Sequence, residues 1–121
     1  MPNHIHLIWR TNSSNGKETP FGSFLKYTAH EFKKMLEENE LQKFKVDVSN
    51  KRYEFWQRDS MAIELYSPKV VYQKLDYIHE NPIAKDWNLA NEASEYMNSS
   101  ASFYEFGDNR FAFLKHICEV Y

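Results

Sequence analysis

Met1-Pro2-Asn3-His4-Ile5-His6-Leu7-Ile8-Trp9-Arg10 opens the chain, and the reading of these ten residues decides the fold. Their large apolar side chains predict a strand. Side chains alternate across a strand, so His4 and His6 share one face while Ile5 and Leu7 share the other. Two imidazoles side by side on a rigid support make half of a metal site, because neutral imidazole is the commonest side-chain ligand of divalent ions. Taken alone, the pair is equally the mark of two half-exposed histidines on an ordinary strand.

With 121 residues, 42% hydrophobic and 17% aromatic, the chain reads as one folded domain over residues 1–121 rather than a disordered segment. The aromatic surplus either fills a core or stacks on bases, and composition leaves both open. Cys118 is the single cysteine, so it forms no internal disulfide. It has no Cys or His at zinc-finger spacing, which fits a reducing cytoplasm, and it reads as a small apolar residue near the C-terminus. No stretch is apolar and long enough to span a membrane, and the pattern of a secretory signal is absent. A formal net charge of −2 excludes a protein that coats duplex DNA by bulk electrostatics. Residues 1–85 hold 13 Lys and Arg against 11 Asp and Glu, whereas residues 86–121 hold two against six, so any nucleic-acid face belongs to the first two thirds.

Along the chain, Thr11 to Gly16 is a polar, turn-rich loop. Thr19-Pro20 supplies an N-cap followed by proline at the first helical position, predicting a helix to about Glu40. Its core face is Phe24, Thr28, Phe32, Met35 and Leu36. Lys26, His30, Lys33 and Lys34 lie opposite, as a solvated surface or a phosphate-contacting one. Phe44 to Val48, Tyr53 to Arg58 and Met61 to Leu65 read as strands, with a turn at Asp59-Ser60. Ser67-Pro68 repeats the cap-then-proline signal and opens a helix to about Glu80. Val71, Leu75 and Ile78 form its core stripe, and Val70, Lys74, Tyr77 and Asn81 a second line beside it. Pro82 is expected to push Asn81 out of the helical region to a C-cap position. A short helix follows within Ile83 to Leu89, and a C-terminal one is expected to bury Phe111, Leu114 and Ile117. Only three glycines occur, which excludes phosphate-cradling glycine loops.

Four of these stretches together resemble one family, the single-tyrosine transposases of the IS200-like and REP-associated kind. Met1 to Ile8 resembles their histidine, hydrophobic, histidine motif. Leu75-Asp76-Tyr77-Ile78-His79-Glu80-Asn81-Pro82-Ile83 resembles their nucleophile helix. Phe55-Trp56-Gln57-Arg58 and Tyr96-Met97-Asn98-Ser99-Ser100-Ala101 are similar to the runs that lie between and after these. Order and approximate spacing agree over residues 1 to about 106. The resemblance implies an α+β fold of ferredoxin-like type, an antiparallel sheet with helices packed on it. It implies that the histidine pair stands on a central strand, and often a homodimer. It also implies divalent-metal-dependent cutting and rejoining of single-stranded DNA guided by hairpins, in the bacterial cytoplasm and at the nucleoid when DNA is bound. Family members carry a further strand and helix before the histidine motif, so the domain is expected to lack its first strand and helix, with another chain completing the sheet as one alternative.

Strand transfer needs a covalent intermediate, because hydrolysis would discard the bond energy. On this resemblance Tyr77 is the nucleophile, and its free pKa of about 10 calls for activation. His4, His6 and Asn81 would hold one Mg²⁺ or Mn²⁺ against the scissile phosphate. With Tyr77 and Asn81 one turn apart, a single helix carries nucleophile and ligand, so docking the helix sets the attack geometry. Lys74 is either solvated or close enough to favour the phenolate or touch phosphate. Arg10, Lys26, Lys33, Arg58 and Lys74 are the candidate DNA contacts, and Trp56 is a stacking surface or a core residue. The competing expectation is a silent relic or regulator that keeps hairpin binding without chemistry. A metal hydrolase with a water nucleophile is weaker, as no carboxylate is placed beside the histidine pair.

Overall fold

A computed structural model describes residues 1–11, 16–57 and 60–120. The fold is α+β, with helices and one two-stranded antiparallel sheet. The chain divides into two compact units, Thr11–Ala62 in one, and Met1–Arg10 with Ile63–Tyr121 in the other.

In the first unit, helix α1 spans Pro20–Met35. Thr19 caps it, its Oγ1 accepting from the Gly22 N–H at 3.1 Å. The helix stops at Leu36, whose backbone is extended, and does not run on to Glu40. Glu37, Glu38 and Glu40 explain the break. Acidic side chains at a helix C-terminus oppose its dipole, whereas at the start of a new helix they favour it. The short helix α2, Glu38–Leu41, uses them in that second way, and Glu40 accepts from the Glu37 N–H at 3.2 Å.

Strands β1, Lys45–Val48, and β2, Lys51–Tyr53, form the hairpin that follows, with Val48 opposite Lys51 and Lys45 opposite Tyr53. The first strand matches the sequence expectation, but the second lies before the expected 53–58 and shares only Tyr53 with it, and 61–65 is no strand. Aromatic packing takes over where the strand reading fails. Trp56 donates its indole N–H to Thr28 Oγ1 at 2.9 Å, and its ring lies 5.8 Å from Phe32 and 6.2 Å from Phe24. Phe55 packs on Phe44 and Phe32 at 4.9 and 5.9 Å. The expected apolar face of α1 is therefore used at Phe24, Thr28 and Phe32, but Met35 at its end is 78% exposed. Trp56 takes the structural of its two roles.

In the second unit, helix α3 spans Pro68–Glu80, within the predicted limits. Ser67 Oγ accepts from the Val70 N–H, and Pro68 fills the position where no donor is needed. Val71 and Leu75 are buried and Ile78 is half-buried, so the expected stripe is the core of this unit, joined by Pro82, Ala101 and Ile117. Asn81 is the C-cap of α3, as expected, but it keeps helical dihedrals, φ −55° and ψ −43°, because the chain tightens into a 3₁₀ turn over Asn81–Ile83 with Pro82 inside it. That turn replaces the short helix expected before Leu89.

Helix α4, Ala101–Phe106, ends at Gly107, whose left-handed φ of 72° a side chain would strain. The expected C-terminal helix is absent from 108–116. Asp108 instead takes the Arg110 N–H and guanidinium, and only a 3₁₀ turn, Ile117–Glu119, follows. Cys118 is exposed rather than apolar packing, with its Sγ 2.8 Å from the Tyr72 hydroxyl.

No residue from Met1 to Arg10 joins a ladder, which corrects the strand reading. Burial still alternates as a strand's would: His4, His6 and Ile8 are half-buried, and Ile5, Leu7 and Trp9 are close to half exposed. The faces are those expected, but among the described residues no strand pairs with this segment. The packing ranks two substitutions in opposite order to a simple helical-face reading. Leu75→Ala should cost about 2–3 kcal/mol and Met35→Ala less than about 0.5, in urea denaturation followed by circular dichroism. A cost at Met35 equal to that at Leu75 would contradict the burial pattern.

Candidate active site

Helix α3 presents a line of three polar side chains next to its buried stripe. Lys74, Tyr77 and Asn81 stand at i, i+3 and i+7, within a narrow arc of the helix surface. Because Asn81 stays helical, with its N–H bonded to the Tyr77 carbonyl, its side chain remains in line with Tyr77. A Pro-driven exit from the helix would have turned it away.

The opening segment meets this line. His6 Nε2 and Asn81 Nδ2 are 2.9 Å apart, although 75 residues separate them in the chain. The His6 ring stands edge-on to Tyr77 at 5.7 Å between centroids, and His4 lies 4.8 Å from His6. Tyr77 is 55% exposed, so its hydroxyl is open to a large substrate. The Lys74 ammonium lies 5.8 Å from the centre of the Tyr77 ring, close enough for a cation-π contact.

Protonation follows from the same contacts. Burial, then the neighbouring His4, then the N-terminal ammonium push the His6 pKa below its usual 6.5. It is therefore neutral near pH 7, its Nε2 lone pair directed at the Asn81 amide. Asn3 Oδ1 lies 2.7 Å from His4 Nδ1. A carboxamide oxygen can only accept, so His4 Nδ1 carries the hydrogen and Asn3 sets the orientation of the ring.

Four of the sequence-predicted residues, His4, His6, Tyr77 and Asn81, are thus brought together, with Lys74 beside Tyr77. The other basic candidates are engaged elsewhere. Arg10 donates to the Val120 carbonyl, Lys26 pairs with Glu18 at 3.6 Å, and Lys33 lies over the Tyr53 ring at 5.7 Å. Arg58 falls outside the described residues. Glu80 is exposed, and His79 faces away to Ser100 Oγ at 2.9 Å, tying α3 to the start of α4.

Asn3 and Trp87 are the members of the cluster that sequence reasoning missed. Trp87 is half-buried, with its ring 5.3 Å from that of His4. Asn3 had a readable signal, an amide one residue before a candidate ligand. Trp87 had none, because the chain between Pro82 and Leu89 is irregular and gives no period from which to place a side chain.

Among the described residues no group of three His, Cys, Asp or Glu side chains is placed to hold a metal. A cation here would rest on two imidazoles and an amide. The donor chemistry suits that role. The atom of Asn81 that lies 2.9 Å from His6 Nε2 is the amide nitrogen, a hydrogen-bond donor, and the amide oxygen is the atom of that group able to ligate. A depression of about 180 Å³ in the same unit is lined by Pro68, Val71, Tyr72, Ile117 and Cys118 and contains none of these residues. In the histidine–tyrosine cluster, Tyr77 is exposed while His4, His6 and Asn81 are half-buried.

Searches against family models, curated proteins and solved structures found no match.

The half-buried histidines make stability depend on pH. His79, like His6, titrates below 6.5, burial outweighing the opposing pull of Asp76. Above 6.5 both the folded and unfolded chains hold neutral imidazoles. Below it the unfolded chain takes up protons first, so stability falls until the folded pKa is passed. Urea midpoints measured at pH 7.5 and 5.5 should show this loss in the wild type and a smaller one in His79→Gln; equal losses would remove His79 from the explanation.

Proposed function

We propose that this chain cuts and rejoins single-stranded DNA through a covalent phosphotyrosine on Tyr77, as the single-tyrosine transposases that it resembles do. The convergence of His4, His6, Tyr77 and Asn81, drawn from the opening segment and from helix α3 into one cluster, is the observation that carries this reading. In the finer reading this surface belongs to a ferredoxin-like domain of that family.

A divalent cation, Mg²⁺ or Mn²⁺, would be held by Nε2 of His4 and His6 and by the Asn81 amide oxygen, which a half-turn of the amide presents; when bound it supplies charge neutralisation at a phosphate oxygen. Mn²⁺ suits the imidazoles better. The remaining chemistry belongs to the chain. The Tyr77 oxygen bonds to phosphorus as a DNA oxygen leaves, so one ester replaces another and the bond energy is kept for rejoining. The phenolic proton passes to solvent and the departing DNA oxygen takes one up, leaving as a hydroxyl. Lys74, its ammonium 5.8 Å from the centre of the Tyr77 ring, is the cation that would touch the incoming phosphate. α3 fixes the angle of attack because it carries both Tyr77 and Asn81.

The same reading places the protein at bacterial DNA in the cytoplasm, on hairpin-forming single strands, as a homodimer. Residues 1–10, with three half-exposed apolar side chains and no ladder, are the surface that a second copy would pair with. Among the described residues no helix is long and apolar enough to cross a membrane. The absence of that ladder also favours a second reading, a hairpin-binding regulator whose histidine support is too loosely held to cut.

Incubation with labelled hairpin DNA bearing single-stranded flanks, in Mn²⁺, should give a denaturation-resistant protein–DNA adduct that Tyr77→Phe abolishes. An adduct that survives Tyr77→Phe rejects Tyr77 as nucleophile, and hairpin binding with no adduct in the wild type selects the regulator. Asn3→Ala should weaken Mn²⁺ binding by about 10- to 100-fold through loss of His4 orientation, measured by calorimetry. An unchanged affinity would show that Asn3 does not orient the ligand.

A further inference from the structure

The geometry points to Trp87 as a stacking platform for a nucleobase next to the phosphate that Tyr77 attacks. This inference rests on the single-stranded-DNA reading above and adds a base-binding subsite to it. Three observations carry it.

The first is position. The indole lies 5.3 Å from the His4 ring at an interplanar angle of 61°, so it borders the candidate ligand set directly. A phosphate held at His4 and His6 brings with it the base of its own nucleotide and that of the next, and a ring one imidazole away lies where one of them must go.

The second is rigidity. Trp87 N–H bonds to the Ala84 carbonyl at 2.9 Å, Asn88 N–H to the same carbonyl at 2.9 Å, and Leu89 N–H to the carbonyl of buried Pro82 at 2.8 Å. Asn88 holds a left-handed φ of 46°, a backbone state that asparagine tolerates better than most residues. The turn follows directly from Asn81–Ile83, so the platform and Asn81 are set by one continuous stretch of backbone. Less ordering is then left for the moment of binding.

The third is the role left open. Trp56, the aromatic that sequence reading offered for stacking, is committed to Thr28 and the phenylalanines of its own unit. Around the histidine pair, Trp87 supplies the extended ring face, and stacking on it tolerates any base because every base has a π-face. The subsite would therefore add affinity and register for a strand without reading its sequence.

Fluorescence anisotropy with a labelled twelve-nucleotide thymidine oligomer and with an abasic oligomer of the same length separates bases from phosphates. The wild type should prefer the thymidine oligomer. Trp87→Ala and Trp87→Leu, the second filling most of the volume without a ring, should weaken thymidine binding by about 5- to 100-fold and leave the abasic oligomer almost unchanged. Trp87→Phe should recover part of the loss. Equal weakening of both oligomers would mark Trp87 as structural and overturn the subsite, as would wild-type affinity in Trp87→Leu. A wild type that binds neither oligomer would instead overturn the DNA reading itself, and the subsite with it.

Discussion

The contact between His6 Nε2 and the Asn81 amide is the one on which the candidate site depends. It fastens the opening segment, which pairs with no strand among the described residues, to the end of the helix that carries Tyr77. A hydrogen bond between neutral groups contributes about 0.5–1.5 kcal/mol net, and the edge-on ring contacts around it contribute on a similar scale. The Arg10 guanidinium on the Val120 carbonyl adds a second anchor at the other end of the segment. The two imidazoles share this short segment with the half-exposed Ile5 and Leu7. Whatever docks along residues 1–10 therefore also steadies the two imidazoles, and the order of the site is coupled to that edge.

Helix α3 works as a two-sided part. Val71 and Leu75 are buried on one stripe, and Tyr77 and Asn81 project from the stripe beside it. Burial of the first stripe thereby sets the rotation of the second. The His79–Ser100 hydrogen bond resists rolling of α3, and Ser67 with Pro68 fixes where the helix begins. Helices are suited to such a task because packing locks their rotation, whereas a loop carrying the same residues would need separate restraints for each. Asn81 extends the arrangement by one residue beyond the regular helix, and the 3₁₀ turn that contains Pro82 leads on to the backbone bonds that seat Trp87.

Charge is used sparingly around the cluster. The cluster of His4, His6, Tyr77 and Asn81 contains no carboxylate. Lys74 contributes the nearby positive charge. Lys26 and Lys33, which the helical pattern of α1 put on a basic face, are drawn to Glu18 and Tyr53 instead. The sequence pattern identified which side chains leave the core, but their partners depend on chain segments distant in sequence.

That difference runs through the whole chain. The starts of α1 and α3, the buried stripe of α3 and the shared face of His4 and His6 were legible in the sequence, because caps, prolines and side-chain periodicity act over a few residues. The same local signals predicted strands at 1–10 and 61–65 and a longer C-terminal helix, and there they failed. A strand needs a neighbour to bond with, and a helix must win against side chains such as Asp108 that compete for its backbone. Only the tertiary structure decided that Asn81 meets His6, that Trp56 packs against Thr28 and Phe32 and that Trp87 borders the histidines. Each of those outcomes is a contact between parts of the chain with no fixed spacing, and no period in the sequence encodes it.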